Sequence, residues 1–366
     1  MSGHVMHRLP TIGLLSGLLL AAGLSRCVSI PGMEEGGPCN DKGICKTGLV
    51  CEEGLCRSKS AAASSWEVMR SPVDTALAAV WGVSASEVWA VGPGPTILTY
   101  QGQGLDWSRV THSLGATGGL AAVWGRSKSE LYAGGSSLLV AYDGRAWTKQ
   151  QLFDKTSGAE LKDGYGIAAI AGTAAQLYAV GSTNGKPYYA LFRHAGGTRW
   201  ETVPEVNLAF AGADLWVEGN EIVIVGDSPH VKHYTGSVWV EKNLGKRVAL
   251  GALAGDGTRL VAVGASSEVF EYAAGSWKVA APARSKWTAR DLWLLPGGDL
   301  FVVGEGGGYG ADFSPVERCG ATCSPQVMPE GARPSQNKKM YSIWGAADGT
   351  LFVVGDSGLI LRRRKP

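Results

Sequence analysis

The chain has 366 residues, and 34 Lys plus Arg against 32 Asp plus Glu leave a formal net charge of +2. That balance excludes the basic field of a nucleic-acid binder and the acidic block of a solvating tail. Charged residues are only 18% of the chain, while Gly reaches 53 and Trp 13, a mixture of turn formers and aromatics that points to an all-β repeat protein.

The first residues read as a targeting segment. Arg8 and two histidines precede an apolar run over about residues 11–24. Such a run suits the h-region of an export signal and falls short of the ~20 residues of a transmembrane helix. It ends in Leu24-Ser25-Arg26-Cys27, which resembles the lipobox of bacterial lipoproteins. Leu24 and Ser25 fit that pattern, and Cys27 stands where the lipidated first residue would be. Arg26 departs from it, because a small residue normally precedes the cysteine. The expectation is a signal over residues 1–26 and a lipid on Cys27. Cleavage near Ala22 or Gly23, giving a soluble periplasmic or secreted product, is the alternative.

Seven cysteines follow one logic. An odd count in an exported protein needs a special use for one of them, and lipid on Cys27 leaves six to pair. Cys39, Cys45, Cys51 and Cys56 crowd a glycine-punctuated stretch too small to bury a core, so it needs disulfide staples; a zinc site is disfavoured by spacing and compartment. This region, within a module expected over residues 27–57, resembles the small cysteine-rich modules of the Dickkopf N-terminal type. Of its three possible connectivities, first-to-third and second-to-fourth is preferred. Residues 58–65 are small and polar without periodicity, as in a flexible tether.

From residue 66 to 366 the chain repeats itself. An apolar strand ends in Val80-Trp81-Gly82 and recurs as Val123-Trp124-Gly125, Ile170-Ala171-Gly172, Leu215-Trp216, Leu253-Ala254-Gly255, Leu292-Trp293 and Ile343-Trp344-Gly345. In every copy a glycine closes a second apolar strand: Gly92, Gly134, Gly181, Gly226, Gly264, Gly304 and Gly355. A third strand, a glycine turn and a Trp opening a fourth strand complete each unit, as in Tyr142-Asp143-Gly144-Arg145-Ala146-Trp147. Four short strands in roughly 44 residues make a propeller blade, which buries its faces only against neighbours. The last copy stops after three strands, while Trp66-Glu67-Val68 stands unpaired before the first copy. The expected fold is therefore a seven-bladed β-propeller closed by its N-terminal strand, behind a small disulfide-rich module.

The tryptophans at repeat positions are expected to pack between blades. The sixth copy lacks the fourth-strand Trp and carries Cys319-Gly320-Ala321-Thr322-Cys323, expected to form a local disulfide. The segments Val354-Gly355-Asp356-Ser357-Gly358-Leu359-Ile360-Leu361 and Asp143-Gly144-Arg145-Ala146-Trp147 resemble those of photosystem-assembly and sialidase-repeat propellers. They are also similar to exported and lipoprotein propellers with WG and AVG-type repeats. That resemblance implies architecture and no particular activity.

Motifs that suggest chemistry dissolve into turns. Gly355-Asp356-Ser357-Gly358 spells the surroundings of a serine nucleophile, but Gly226-Asp227-Ser228-Pro229 nearly repeats it at the equivalent turn. The stretch from Gly181 to Pro187 misses the phosphate-loop spacing and its Ser or Thr. Residues 304–310 open no helix, so they make no dinucleotide site. The histidines have no metal spacing. No catalytic, cofactor or metal set is expected. The tail Arg362-Arg363-Arg364-Lys365 reads as a solvated strand end, with anionic lipid as the lesser reading.

The leading expectation is a monomeric, non-enzymatic scaffold at the outer membrane or cell surface. It would bind another surface protein or a polysaccharide and touch the membrane through its lipid only. Loops joining strands two to three, and strand four to the next blade, share one face. There the candidate binding residues are Lys186, Asp227, His230, Glu305, Tyr309 and Asp356. The rival is a glycoside hydrolase or lyase with acidic residues gathered at the channel mouth, which shifted carboxylate pKa values in a deep pocket would favour.

Overall fold

Short runs such as Ile222 to Val225 are dense in β-branched residues, and glycine at both ends limits them to strands of about five residues. The computed structural model describes residues 37–40, 44–46, 49–52, 55–58 and 65–364, apart from short stretches at 116–117, 186–187, 247, 266–267, 282–286, 297, 307–313, 330–331 and 333–337. Among the described residues these runs form five antiparallel four-stranded sheets and one nine-stranded sheet, in which two further meanders join at Gly166 and Ser136 and Gln151–Phe153 adds parallel to Arg199–Thr202. Blade one begins with Ala79–Ser84, blade two with Gly119–Ser127, blade three with Gly166–Gly172 and blade four with Gly212–Glu218. Blades five, six and seven begin with Leu250–Gly255, Trp287–Leu294 and Met340–Gly345. These first strands are the innermost, and each abuts the next around the ring, the seventh against the first.

Closure is as the sequence predicts. Trp66–Val68 pairs antiparallel with Ile360–Arg363, Trp66 opposite Arg363 and Val68 opposite Leu361, and so becomes the outer strand of blade seven. The apolar core divides into seven clusters, one at each seam between blades. The seam between blades seven and one joins Trp344, Phe352 and Ile360 to Val80, Val88 and Leu98. The arginine tail corrects an expectation here. Arg362 and Arg363 are only 3% and 7% exposed, because pairing with the N-terminal strand draws them into the seam. Arg362 donates to Glu67 at 2.7 Å and to the Tyr100 hydroxyl at 2.5 Å.

The recurrent glycines mark close approaches. A β-carbon on Gly226 or Gly264 would lie 1.9 Å from the carbonyl oxygen of Ala211 or Ala249, the residue that leads into the first strand of the same blade. Gly92, Gly181, Gly304 and Gly355 meet the corresponding carbonyl in their own blades at 2.5 Å or less. In blade two this place belongs to Gly135 (1.9 Å from the Gly119 oxygen), whereas Gly134 faces Ile167. The glycine after the first-strand Trp has another reason. A β-carbon on Gly82, Gly125, Gly255 or Gly345 would strike the indole of Trp344, Trp81, Trp216 or Trp293, each from the preceding blade. Tryptophan on one blade and glycine on the next thus form one joint, which explains the WG pair.

Three disulfides are present among the described residues: Cys39–Cys51, Cys45–Cys56 and Cys319–Cys323. The first two have the preferred connectivity and staple the hairpin of Leu49–Glu52 and Leu55–Ser58. The third ties the third and fourth strands of blade six. Cys27 lies outside the described residues. No helix among the described residues is long and apolar enough to cross a membrane.

Candidate binding site at the channel mouth

The seven first strands enclose a central channel of about 390 Å³. Its upper end is where first strands begin and second strands finish. In six blades the first strand bulges three residues before the Trp position, at Ala121, Ala168, Ala213, Gly251, Arg290 and Tyr341. A bulge re-aims its side chain, and these residues line the channel. Ala78 holds the same place in blade one. Five blades therefore present only Ala or Gly at the mouth. Blades six and seven present a guanidinium and a phenol.

A polar wall stands behind those two groups. Arg290 donates to Glu305, and Lys339 pairs with the other Glu305 oxygen at 2.6 Å. Burial opposes ionisation of Glu305, but hydrogen bonds and charge from Lys339 and Arg290 outweigh it and hold the carboxyl below the usual range. The Tyr341 hydroxyl donates to Asp356 at 2.7 Å, and the Lys339 amide donates to the second Asp356 oxygen at 3.1 Å. Burial, then the bond to Asp356, pushes the phenol up to about 12, so it remains a donor at neutral pH. Lys338 donates to Ser357 at 3.0 Å, and Ser357 sits at φ 54° in the turn.

One layer deeper lie two half-buried carboxylates that line the channel. Asp214 accepts from the Leu215 amide at 2.8 Å and, across the seam, from the Leu253 amide of blade five at 2.7 Å. Asp291 repeats this, accepting from Leu292 at 2.8 Å and from Ile343 of blade seven at 2.9 Å. Burial, then repulsion from Asp291, raises Asp214 to about 8, and burial raises Asp291 to about 6, both against their bonds from main-chain amides.

Of the face chosen from sequence, Glu305 and Asp356 come together through Lys339 and Tyr341. Asp227 does not join them: it accepts from the Ala211 amide at 2.8 Å and braces its own blade. His230 sits toward the outside of blade four, its ring 3.2 Å from the Ser228 hydroxyl and 2.9 Å from the Asn243 amide. Neither lines the channel. Lys186 and Tyr309 lie outside the described residues. Sequence reading passed over Arg290, Tyr341, Asp214 and Asp291. The available signal was departure from the repeat, since the aligned position is Ala or Gly for the first pair and Ala in four blades for the second.

Solved structures with a similar fold include β-propellers. The chain resembles the structure described as YCF48 bound to D1 peptide, at 17% identity and a TM-score of 0.61, over 83% of this chain and 98% of that one. It is also similar to the WD40 β-propeller domain of Doa1, at 13% identity and a TM-score of 0.63, over 82% and 97%. A streptogramin B lyase aligns at 13% identity and a TM-score of 0.62, over 81% and 96%. No protein-family model and no curated protein matches the sequence. At these identities the likeness is one of fold, and propellers of this shape include both binding scaffolds and a lyase.

Proposed function

We propose that the protein is a non-catalytic binding propeller that holds a protein partner at the upper mouth of its channel. The charge order of blades six and seven carries this reading. Glu305 and Asp356 turn both oxygens toward partners within the wall, while the Arg290 and Lys339 side chains stay 46% and 45% exposed. The mouth thus offers donors on one side and a smooth Ala and Gly rim on the other, which suits a carboxylate-bearing segment of a partner. A polysaccharide would call for exposed aromatic platforms, whereas four of the five channel tryptophans are packed onto glycines of the next blade. A similar fold described with a bound peptide adds support.

The same proposal includes export by residues 1–26 and anchoring through lipid on Cys27. This would place the protein at the outer membrane or cell surface, among the WG and AVG-type exported propellers that its repeats resemble. A soluble periplasmic or secreted form is the alternative.

A glycoside hydrolase or lyase is the competing reading, and the raised pKa values of Asp214 and Asp291 favour it. Against it, every oxygen of these carboxylates already accepts a main-chain amide. The deciding experiment places a photo-crosslinking residue at Ala213 of the mature protein. A specific envelope protein should be captured, and Arg290→Ala or Lys339→Ala should abolish its capture. A fluorophosphonate probe should leave Ser357 unlabelled. Capture indifferent to both substitutions, or stoichiometric labelling of Ser357, overturns the proposal.

A further inference from the structure

The channel carries opposite charge at its rim and in its interior. At the rim Arg290, Lys338 and Lys339 outnumber Glu305 and Asp356. Among the residues that line the channel, the charged side chains are Arg290, Asp214 and Asp291. The two aspartates stand one residue further in than the rim, half-buried, at the seams of blades four and five and of blades six and seven. Main-chain amides orient both carboxylates without cancelling their charge, and fill two of about four acceptor positions on each. Asp291 also takes a bond from the Ser342 side chain, so acceptor positions remain on both acids. Blades one, two, three and five carry Ala79, Ala122, Ala169 and Ala252 at this place, so the ring itself requires no acid there. A second set of groups lies below. The half-buried indoles of Trp81, Trp124, Trp216 and Trp293 line the same channel, and an indole face attracts cations. The Arg126 guanidinium already stands 5.9 Å from the centre of the Trp124 ring.

We propose that the channel interior seats an organic cation, the ammonium or guanidinium of a Lys or Arg side chain that the partner segment carries beside its rim-bound carboxylate. The choice of partner rests on the binding reading, whereas the cation seat rests on the interior alone. Arg290 is engaged by Glu305 at the rim, and no other channel-lining side chain offers the aspartates a countercharge. A cation between them supplies it and relieves the repulsion between the two acids. A second carboxylate entering there is repelled, which fixes the polarity of the ligand, acid at the rim and base within. The cavity of about 390 Å³ falls inside the ~300–1,000 Å³ of small-ligand sites and gives one such side chain room to enter. A monocation also needs less ring surface than a sugar does, so indoles packed on one side remain usable.

Hexylammonium, hexanoate and 6-aminohexanoate, titrated into the mature protein and followed by carbon NMR of the side-chain carboxyls, separate the two layers. 6-Aminohexanoate should bind about tenfold tighter than hexanoate, as a charge-assisted hydrogen bond provides, and should shift the carboxyls of Asp214 and Asp291. Asp214→Ala combined with Asp291→Ala installs the residue that four other blades already carry. That variant should lose the tenfold advantage and bind hexanoate as wild type does. The pair Asp214→Asn and Asp291→Asn, which keeps the volume and removes the charge, should behave alike. An amine that adds nothing to affinity, or an advantage that survives loss of both aspartates, overturns the proposal. Hexanoate binding that Arg290→Ala abolishes, with no contribution from the amine, keeps the rim reading and overturns the cation seat. Hexylammonium binding that depends on the aspartates, with no binding of hexanoate, supports the seat and overturns the rim reading.

Discussion

The lower and upper halves of the channel follow different rules. Below, indoles of one blade lie on the glycines of the next, and the joint recurs at the seams that join blades one to two, four to five, six to seven and seven to one. Above, the bulge position is Ala or Gly in five blades and changes abruptly to Arg290 and Tyr341 in the other two. The lower layer repeats one joint at four of its seven seams because packing tolerates few shapes at close contact. The upper layer opens to solvent and so tolerates change, which is where a repeat protein can place a specific site without weakening the ring.

One deletion and four substitutions break or sharpen that contrast, starting with the largest expected effect. Removing residues 64–69 takes the outer strand from blade seven, exposes a sheet edge and strips Arg362 of Glu67. A loss of several kcal/mol, out of a total of roughly 5–15 kcal/mol, should leave the protein aggregated or melting far below wild type. If the truncated protein melts like the intact one, the closure is misassigned. Trp344→Ala empties the joint over Gly82 and loosens the contacts with Trp293 and Phe352. Denaturant unfolding should show a loss of about 3–5 kcal/mol, as for buried Trp truncations in general.

Gly226→Ala adds one methyl group where the Ala211 carbonyl stands 1.9 Å away. The first strand of blade four must shift, at a cost of about 3 kcal/mol, and a change below 1 kcal/mol would undo the close-approach argument. At the mouth the rules relax. Arg290→Ala and Ala213→Arg should each change stability by no more than about 0.5 kcal/mol, as exposed substitutions do. Partner capture should be lost in the first and kept in the second. A large stability loss in either would show that the upper layer is packed like the lower one.

The sequence by itself determined the architecture of this protein. The Trp and Gly positions recur because each is dictated by contacts within a blade or with the next one, so local spacing carries the information. The orphan Trp66-Glu67-Val68 and the three-stranded last copy disclosed ring closure for the same reason. Exported context and position in a hairpin implied the Cys319–Cys323 disulfide, whereas in the N-terminal module the sequence left three connectivities, of which the preferred one is present. What only the tertiary structure decided was convergence across blades. Glu305 and Asp356 belong to different copies, and Lys339 and Tyr341 join them only because blades six and seven are neighbours. Asp227 looks equivalent to Asp356 in sequence and braces the matching amide, Ala211 for Lys339, but only Asp356 meets a channel side chain, because blade seven carries Tyr341 where blade four has Ala213. Asp214 and Asp291 are ordinary acids on paper. Desolvation in the channel raises their proton affinity, against amides donated from the following blades, 39 and 52 residues away in the chain. No periodicity in a sequence records which donors a closed ring will bring to a side chain, because those contacts exist only after the seams have formed.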